Sequence, residues 1–93
     1  MGKQFENMVV PFRKVKAPTQ SDTVDITNGP ARGILATAAG TATIVFSDGT
    51  TYQITFAIPG GAGWATGVWH PVEFVRINDT NTSLANADMA IGQ

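Results

Sequence analysis

Two strictly alternating stretches separated by an Asp-Gly turn constrain this chain more than any other feature. Over residues 41–46, Ala42, Ile44 and Phe46 fall on one face and Thr41 and Thr43 on the other. Over residues 51–58, Tyr52, Ile54, Phe56 and Ile58 alternate with Thr51, Gln53, Thr55 and Ala57. A period of two, filled with β-branched and aromatic side chains, is the pattern of a half-buried strand. The residues between them, Ser47-Asp48-Gly49-Thr50, join the strands as a hairpin. A two-residue loop on Asp48-Gly49 sets each apolar face opposite a polar one. A three-residue loop pairs Phe46 with Thr50, Ile44 with Tyr52 and Ala42 with Ile54, and leaves Gly49 in the left-handed position of a bulged turn. Because a one-residue slip flips every side chain, burial selects the three-residue loop.

The rest of the chain reads in the same way. Val24 and Ile26 alternate with Asp25 and Thr27 as a shorter strand. Asn28-Gly29-Pro30 turns the chain into a strand over residues 31–37, and Ala38-Ala39-Gly40 turns it again. Residues 58–64 form a glycine-rich loop. Residues 72–77 carry apolar side chains on both faces and predict a strand that is covered twice or bulged. Residues 78–82 form a polar turn, and the weakly apolar residues 83–91 close the chain as a last strand. No window carries a helical stripe. The expected fold is all-β, a small antiparallel sandwich or barrel of five to six or more short strands. It occupies residues 21–93 and follows an extended arm over residues 1–20.

The arm differs from the body in charge. It holds Lys3, Arg13, Lys14 and Lys16 against Glu6, a balance of +3, whereas residues 21–93 sum to −4. Pro11 and Pro18 favour extended backbone around it. The apolar run Met8-Val9-Val10-Pro11-Phe12 is too greasy to stand in water and too short to fold alone. We expect it to lie on a partner, with Phe5, Met8, Val9, Val10 and Phe12 filling pockets and Arg13, Lys14 and Lys16 meeting acidic surface. Only 14% of the 93 residues are charged, and there is no cysteine to staple a small core. Such a chain gains from assembly with copies of itself or with a larger body.

Several classes are set aside. No apolar run approaches the length of a membrane helix, and the leading residues lack the apolar core of a signal peptide. Gly2 lacks the Ser/Thr that myristoylation requires. A pI near 5.6 argues against nucleic acid as partner. The single histidine, His70, between Trp69 and Pro71, reads as structural or exposed; no catalytic residue, metal site or cofactor is expected, and the chain is not expected to be an enzyme. Gly61-Ala62-Gly63-Trp64-Ala65-Thr66-Gly67 is one residue too long for a dinucleotide fingerprint and has no surrounding βαβ unit. Trp64 and Trp69 flank a loose stretch, where large aromatics anchor interfaces, close a local core or stack on a sugar.

Three motifs in order, Ser21-Asp22-Thr23-Val24-Asp25, Pro30-Ala31-Arg32 and Asp48-Gly49-Thr50, together with their surroundings from Pro18 to Thr55 and near residues 71–77, resemble the spike-base family of tailed phages and gene transfer agents. The 60–70 segment is longer than the family's usual turn, and residues 89–93 are more polar than its closing strand. The resemblance implies a short β protein on the capsid exterior of a virion, made in the bacterial host cytoplasm, as a head spike base or a capsid decoration (cement) protein. Its implied partners are the major capsid protein, copies of itself in a trimer or pentamer, and a spike fibre protein, with no membrane involved. The competing expectation is a carbohydrate- or receptor-binding module of a phage fibre or baseplate, in which Trp64 or Trp69 stacks on the ligand.

Overall fold

In the computed structural model, which describes residues 12–58 and 60–93, the chain is all-β. Among these residues eight strands run in chain order: β1 (Val15–Lys16), β2 (Ala31–Ala36), β3 (Gly40–Val45), β4 (Thr51–Ala57), β5 (Trp64–Ala65), β6 (His70–Phe74), β7 (Arg76–Asn78) and β8 (Met89–Gly92). One sheet has the order β1-β8-β2-β6 and the other β5-β4-β3-β7. All pairings are antiparallel except β4 with β5.

The hairpin adopts the register that burial selects. Ala42 faces Ile54 and Ile44 faces Tyr52. Phe46 N–H donates to the Thr50 carbonyl at 2.8 Å, Gly49 N–H donates to the Phe46 carbonyl at 2.9 Å, and Gly49 sits at φ 90°. The Asp48 carboxylate fixes the turn by accepting from Thr50 N–H at 3.0 Å and Thr50 Oγ1 at 2.7 Å.

The core lies between the sheets. Ile34, Ala36, Phe74 and Ile91 come from one sheet and Ala42, Ile44, Ile54, Phe56 and Ile77 from the other, all 0–1% exposed. Each large side chain in it contributes roughly 1.5–3 kcal/mol of burial. Residues 72–77 are the bulged segment. The run breaks at Val75, so β6 pairs in one sheet and β7 in the other, and a single stretch of chain ties the two layers together. The apolar side chains on both of its faces follow from that switch: Phe74 and Ile77 both reach the core from different sheets.

Three expectations are corrected. The stretch around Val24 and Ile26 is not a strand, because the backbone bends just before it, at Asp22 and Thr23, where Ser21 Oγ accepts from the N–H groups of Thr23 and Val24. Residues 83–88 are not strand; a 3₁₀ turn (Asn86–Asp88) precedes β8. That polar-looking end is in fact an interior strand, with Met89, Ile91 and Gly92 buried between β1 and β2. The third concerns the arm. From Phe12 onward the chain belongs to the body: β1 pairs with β8, Pro18 is buried, and Gln20 bonds to Asn86 and Leu84.

The polar turn after β7 is a brace. Asn81, at φ 64°, turns its carbonyl onto the outer face of the β3–β4 pair, where it accepts from Thr41 Oγ1 (3.3 Å), Thr43 Oγ1 (2.9 Å) and Gln53 Nε2 (2.9 Å). Asp22 anchors the same turn from the other side, accepting from Thr80 N–H at 2.8 Å and Thr80 Oγ1 at 2.6 Å. These bonds to Thr80 hold the Asp22 carboxyl below its ordinary value of 3.8.

Candidate functional site

The first candidate surface is the seat of the N-terminal segment. Register places Val15, Gly92, Gly33 and Pro71 in one row across the first sheet. The neighbouring row, Lys16, Ile91, Ile34 and His70, faces the other way, and Ile91 and Ile34 are core. Side chains alternate across a strand, so the first row is on the outer face, where its two central glycines leave a trough. The Phe12 ring fills it. A methyl group added at either Gly33 or Gly92 would overlap that ring, and both glycines are buried beneath it. Trp69 closes the trough, its ring centroid 4.8 Å from that of Phe12 at 56°.

The backbone after Phe12 is pinned as firmly. Arg13 N–H donates to the Gln93 carbonyl at 2.8 Å, and Gln93 N–H donates to the Lys14 carbonyl at 2.9 Å. The Gln93 side chain holds the facing turn, which has Asn28 at φ 66° and Gly29 at φ 100°. That turn runs into Pro30, which has no N–H to close it. Gln93 Nε2 supplies the missing donor, reaching the carbonyls of Thr27 and Gly29 at 2.8 Å each. Arg13 and Lys14 are exposed beside a hollow of about 280 Å³ that they share with Asn28 and Gln93.

The second candidate surface is the aromatic rim. Parallel pairing of β5 with β4 brings Trp64 edge-on to Phe56 (6.1 Å, 85°) and beside Tyr52 (6.2 Å). His70 packs on Trp64 at 4.9 Å. Its Nε2 lies 2.8 Å from the Ala65 carbonyl, which only accepts, so this nitrogen carries the proton and the imidazole is a structural donor.

The sequence-predicted residues therefore fall into separate places. Phe5, Met8, Val9 and Val10 lie outside the described residues. Phe12 and Trp69 come together, but on each other. Lys16 is half-buried, with Nζ donating to Thr27 Oγ1 at 3.2 Å, so it is turned to its own body instead of outward. Trp64 packs on the core rim, edge-on to Phe56. Among the described residues, no three acids or imidazoles converge as a metal-binding group.

Sequence reasoning missed the exposed apolar residues at these rims, Val15, Tyr52, Ile58 and Val68. Tyr52 and Ile58 were legible as strand residues, but their exposure follows from what pairs beside β4. The Gly33–Gly92 trough has no local signal, because 58 residues of chain separate its halves and only register unites them. Compared with protein-family models and with curated proteins, the chain matches none.

Proposed function

We propose that this protein is a non-enzymatic structural component of a phage virion, sitting on the capsid exterior as a spike base or decoration protein and held to the shell by its N-terminal segment. The observation that carries the reading is the trough seat of Phe12. Two facing glycines, Trp69 and the Gln93 backbone fix the point where residues 1–11 join the body, beside the exposed cations Arg13 and Lys14. A tether works only if its near end is held, and pinning it lowers the entropy lost on docking. Phe5, Met8, Val9 and Val10 then supply the apolar contacts to the major capsid protein, and Arg13 and Lys14 steer the encounter with acidic shell surface. The arm that docks is shorter than the sequence alone implies, since residues 12–20 are spent within the body.

The reading is tested in the full chain with Phe5→Ser, Met8→Ser and Val10→Ser combined. Co-sedimentation with purified shells should fall to background while the circular dichroism of the body is unchanged. Undiminished binding rejects the reading.

The second reading, a glycan-binding module of a fibre or baseplate, is favoured by the Tyr52–Trp64 pair, a half-exposed aromatic platform. It predicts that Trp64→Ala abolishes retention on a glycan array; no retention of the unaltered protein rejects it.

A further inference from the structure

A sandwich of two open sheets must deal with four edges, because an unpaired edge is a template for another strand. Three edges of this molecule are dealt with. The β1 edge is flanked by the exposed cations Arg13 and Lys14, and charge discourages strand addition. The β6 edge contains Pro71, which has no N–H to offer. The β7 edge is covered by the chain before β2, with Ser21 N–H donating to the Ile77 carbonyl at 2.9 Å and Ile26 N–H to the Val75 carbonyl at 2.8 Å.

The fourth edge is different. β5 pairs only with Phe56 and Ala57, the last two residues of β4. The bond from Phe46 N–H to Thr50 fixes the alternation along β4, so Tyr52, Ile54 and Phe56 exchange bonds with β3. Thr51 and Gln53 therefore point their N–H and carbonyl groups away from β3, and among the described residues nothing pairs with them. This open stretch, Thr51-Tyr52-Gln53-Ile54, ends where Gly63 lies against the Thr55 carbonyl, and it is uncharged, free of proline and rich in β-forming residues. Tyr52 on it is 49% exposed and Ile58 just beyond it 68% exposed.

We propose that the open edge of β4 is an interface with a second copy of this chain, paired antiparallel about a two-fold axis through Tyr52. Register selects this centre. It sets Thr51 against the other copy's Gln53 and Gln53 against its Thr51, giving about four backbone hydrogen bonds from the groups now pointing outward. Tyr52 then faces its own counterpart in a non-hydrogen-bonded pair, with Cα atoms about 4.5 Å apart, where side chains approach most closely. A centre one pair further along would drive the incoming chain into β5. A two-fold contact is self-complementary, and an edge without charge meets its own copy without repulsion. The occupant is thus a copy of the same strand.

The test uses the full chain and needs no variant for its first arm. Amide hydrogen exchange at Thr51 and Gln53 should be slow at high protein concentration and fast on dilution, and native mass should shift in parallel from twice the chain to once. Tyr52→Lys, which places like charges opposite each other, and Thr51→Pro, which removes one outward N–H at the first residue of the strand, should each raise the dimer dissociation constant roughly tenfold or more, with circular dichroism unchanged. Concentration-independent exchange at both amides, a three- or five-fold mass, or a dimer indifferent to both variants overturns the proposal. It stands apart from the shell reading: an odd-numbered ring defeats it without touching shell attachment, and loss of shell binding leaves it intact.

Discussion

The ring of Phe12 lies on the backbone of Gly92, and that one contact fixes where the N-terminal segment meets the body. Gly92 is flat only because it has no side chain, and its partner Gly33 extends the flat area across two strands. Gly92→Ala should therefore lift Phe12 from the trough and separate it from Trp69. We expect a red-shifted tryptophan emission and a loss of about 1–3 kcal/mol in urea unfolding, the value of one large apolar side chain returned to water. Phe12→Ala should lower stability by a similar amount, and the double variant should cost little more than either alone, because both remove the same contact.

The Asn81 carbonyl makes a second prediction. Thr43, 7% exposed, is one of three donors to it. Thr43→Val keeps the shape and removes one hydroxyl, while Thr41 and Gln53 still satisfy the acceptor. The loss in denaturant unfolding should be about 0.5–1.5 kcal/mol, that of a single net hydrogen bond. Asn81→Val should also destabilise, because a β-branched residue resists the left-handed conformation this position holds; Asn81→Gly should not.

Acid should loosen the same brace. The Asp22 carboxyl is held below 3.8 by its bonds to Thr80, and that of Asp48 by its bonds to Thr50. A carboxyl whose pKa is lower folded than unfolded stabilises the fold above the unfolded value and loses that contribution as pH falls through the folded value. The urea midpoint should thus decline as pH drops below about 4. In Asp22→Asn the decline should be shallower, and carboxyl titration by NMR should place Asp22 below a free aspartate. A midpoint that is flat down to pH 2, or an Asp22 titrating at or above the free value, contradicts the assignment.

Gln93 gives a prediction for the arm's seat. Its amide supplies the donor that Pro30 lacks. Gln93→Ala removes a clasp from two solvent-exposed carbonyls and should cost about 0.5–1.5 kcal/mol. Faster amide exchange at Arg13 should accompany it, since the two share a backbone ladder.

Much of this architecture was legible in the chain because local pattern and burial agreed. The β3–β4 hairpin is the clearest case: alternation named the faces, glycine named the turn, and burial named the register. The Val75 switch was visible only as a segment apolar on both sides. What was illegible depends on long-range pairing. Ser21, Asp22 and Thr80 look like loop polarity until residues 22 and 80 meet. Gly92 and Gln93 look like a polar tail until β8 is found between β1 and β2. The charge contrast puts a boundary at residue 20, yet β1 lies before it, because pairing with Gly92 and Ile91 outweighs that contrast.

The central claim is that residues 1–11 carry attachment while the body folds without them. The most direct measurement is the copy number per particle, by quantitative mass spectrometry, for the full chain and for a chain lacking residues 1–11. The cut must stop there, since removing residues 1–17 also removes β1. The full chain should hold a fixed ratio to shell protein, and the shortened chain should keep its β circular dichroism but be absent from particles. A shortened chain that decorates shells at full occupancy, or a full chain with no fixed ratio to the shell, contradicts it.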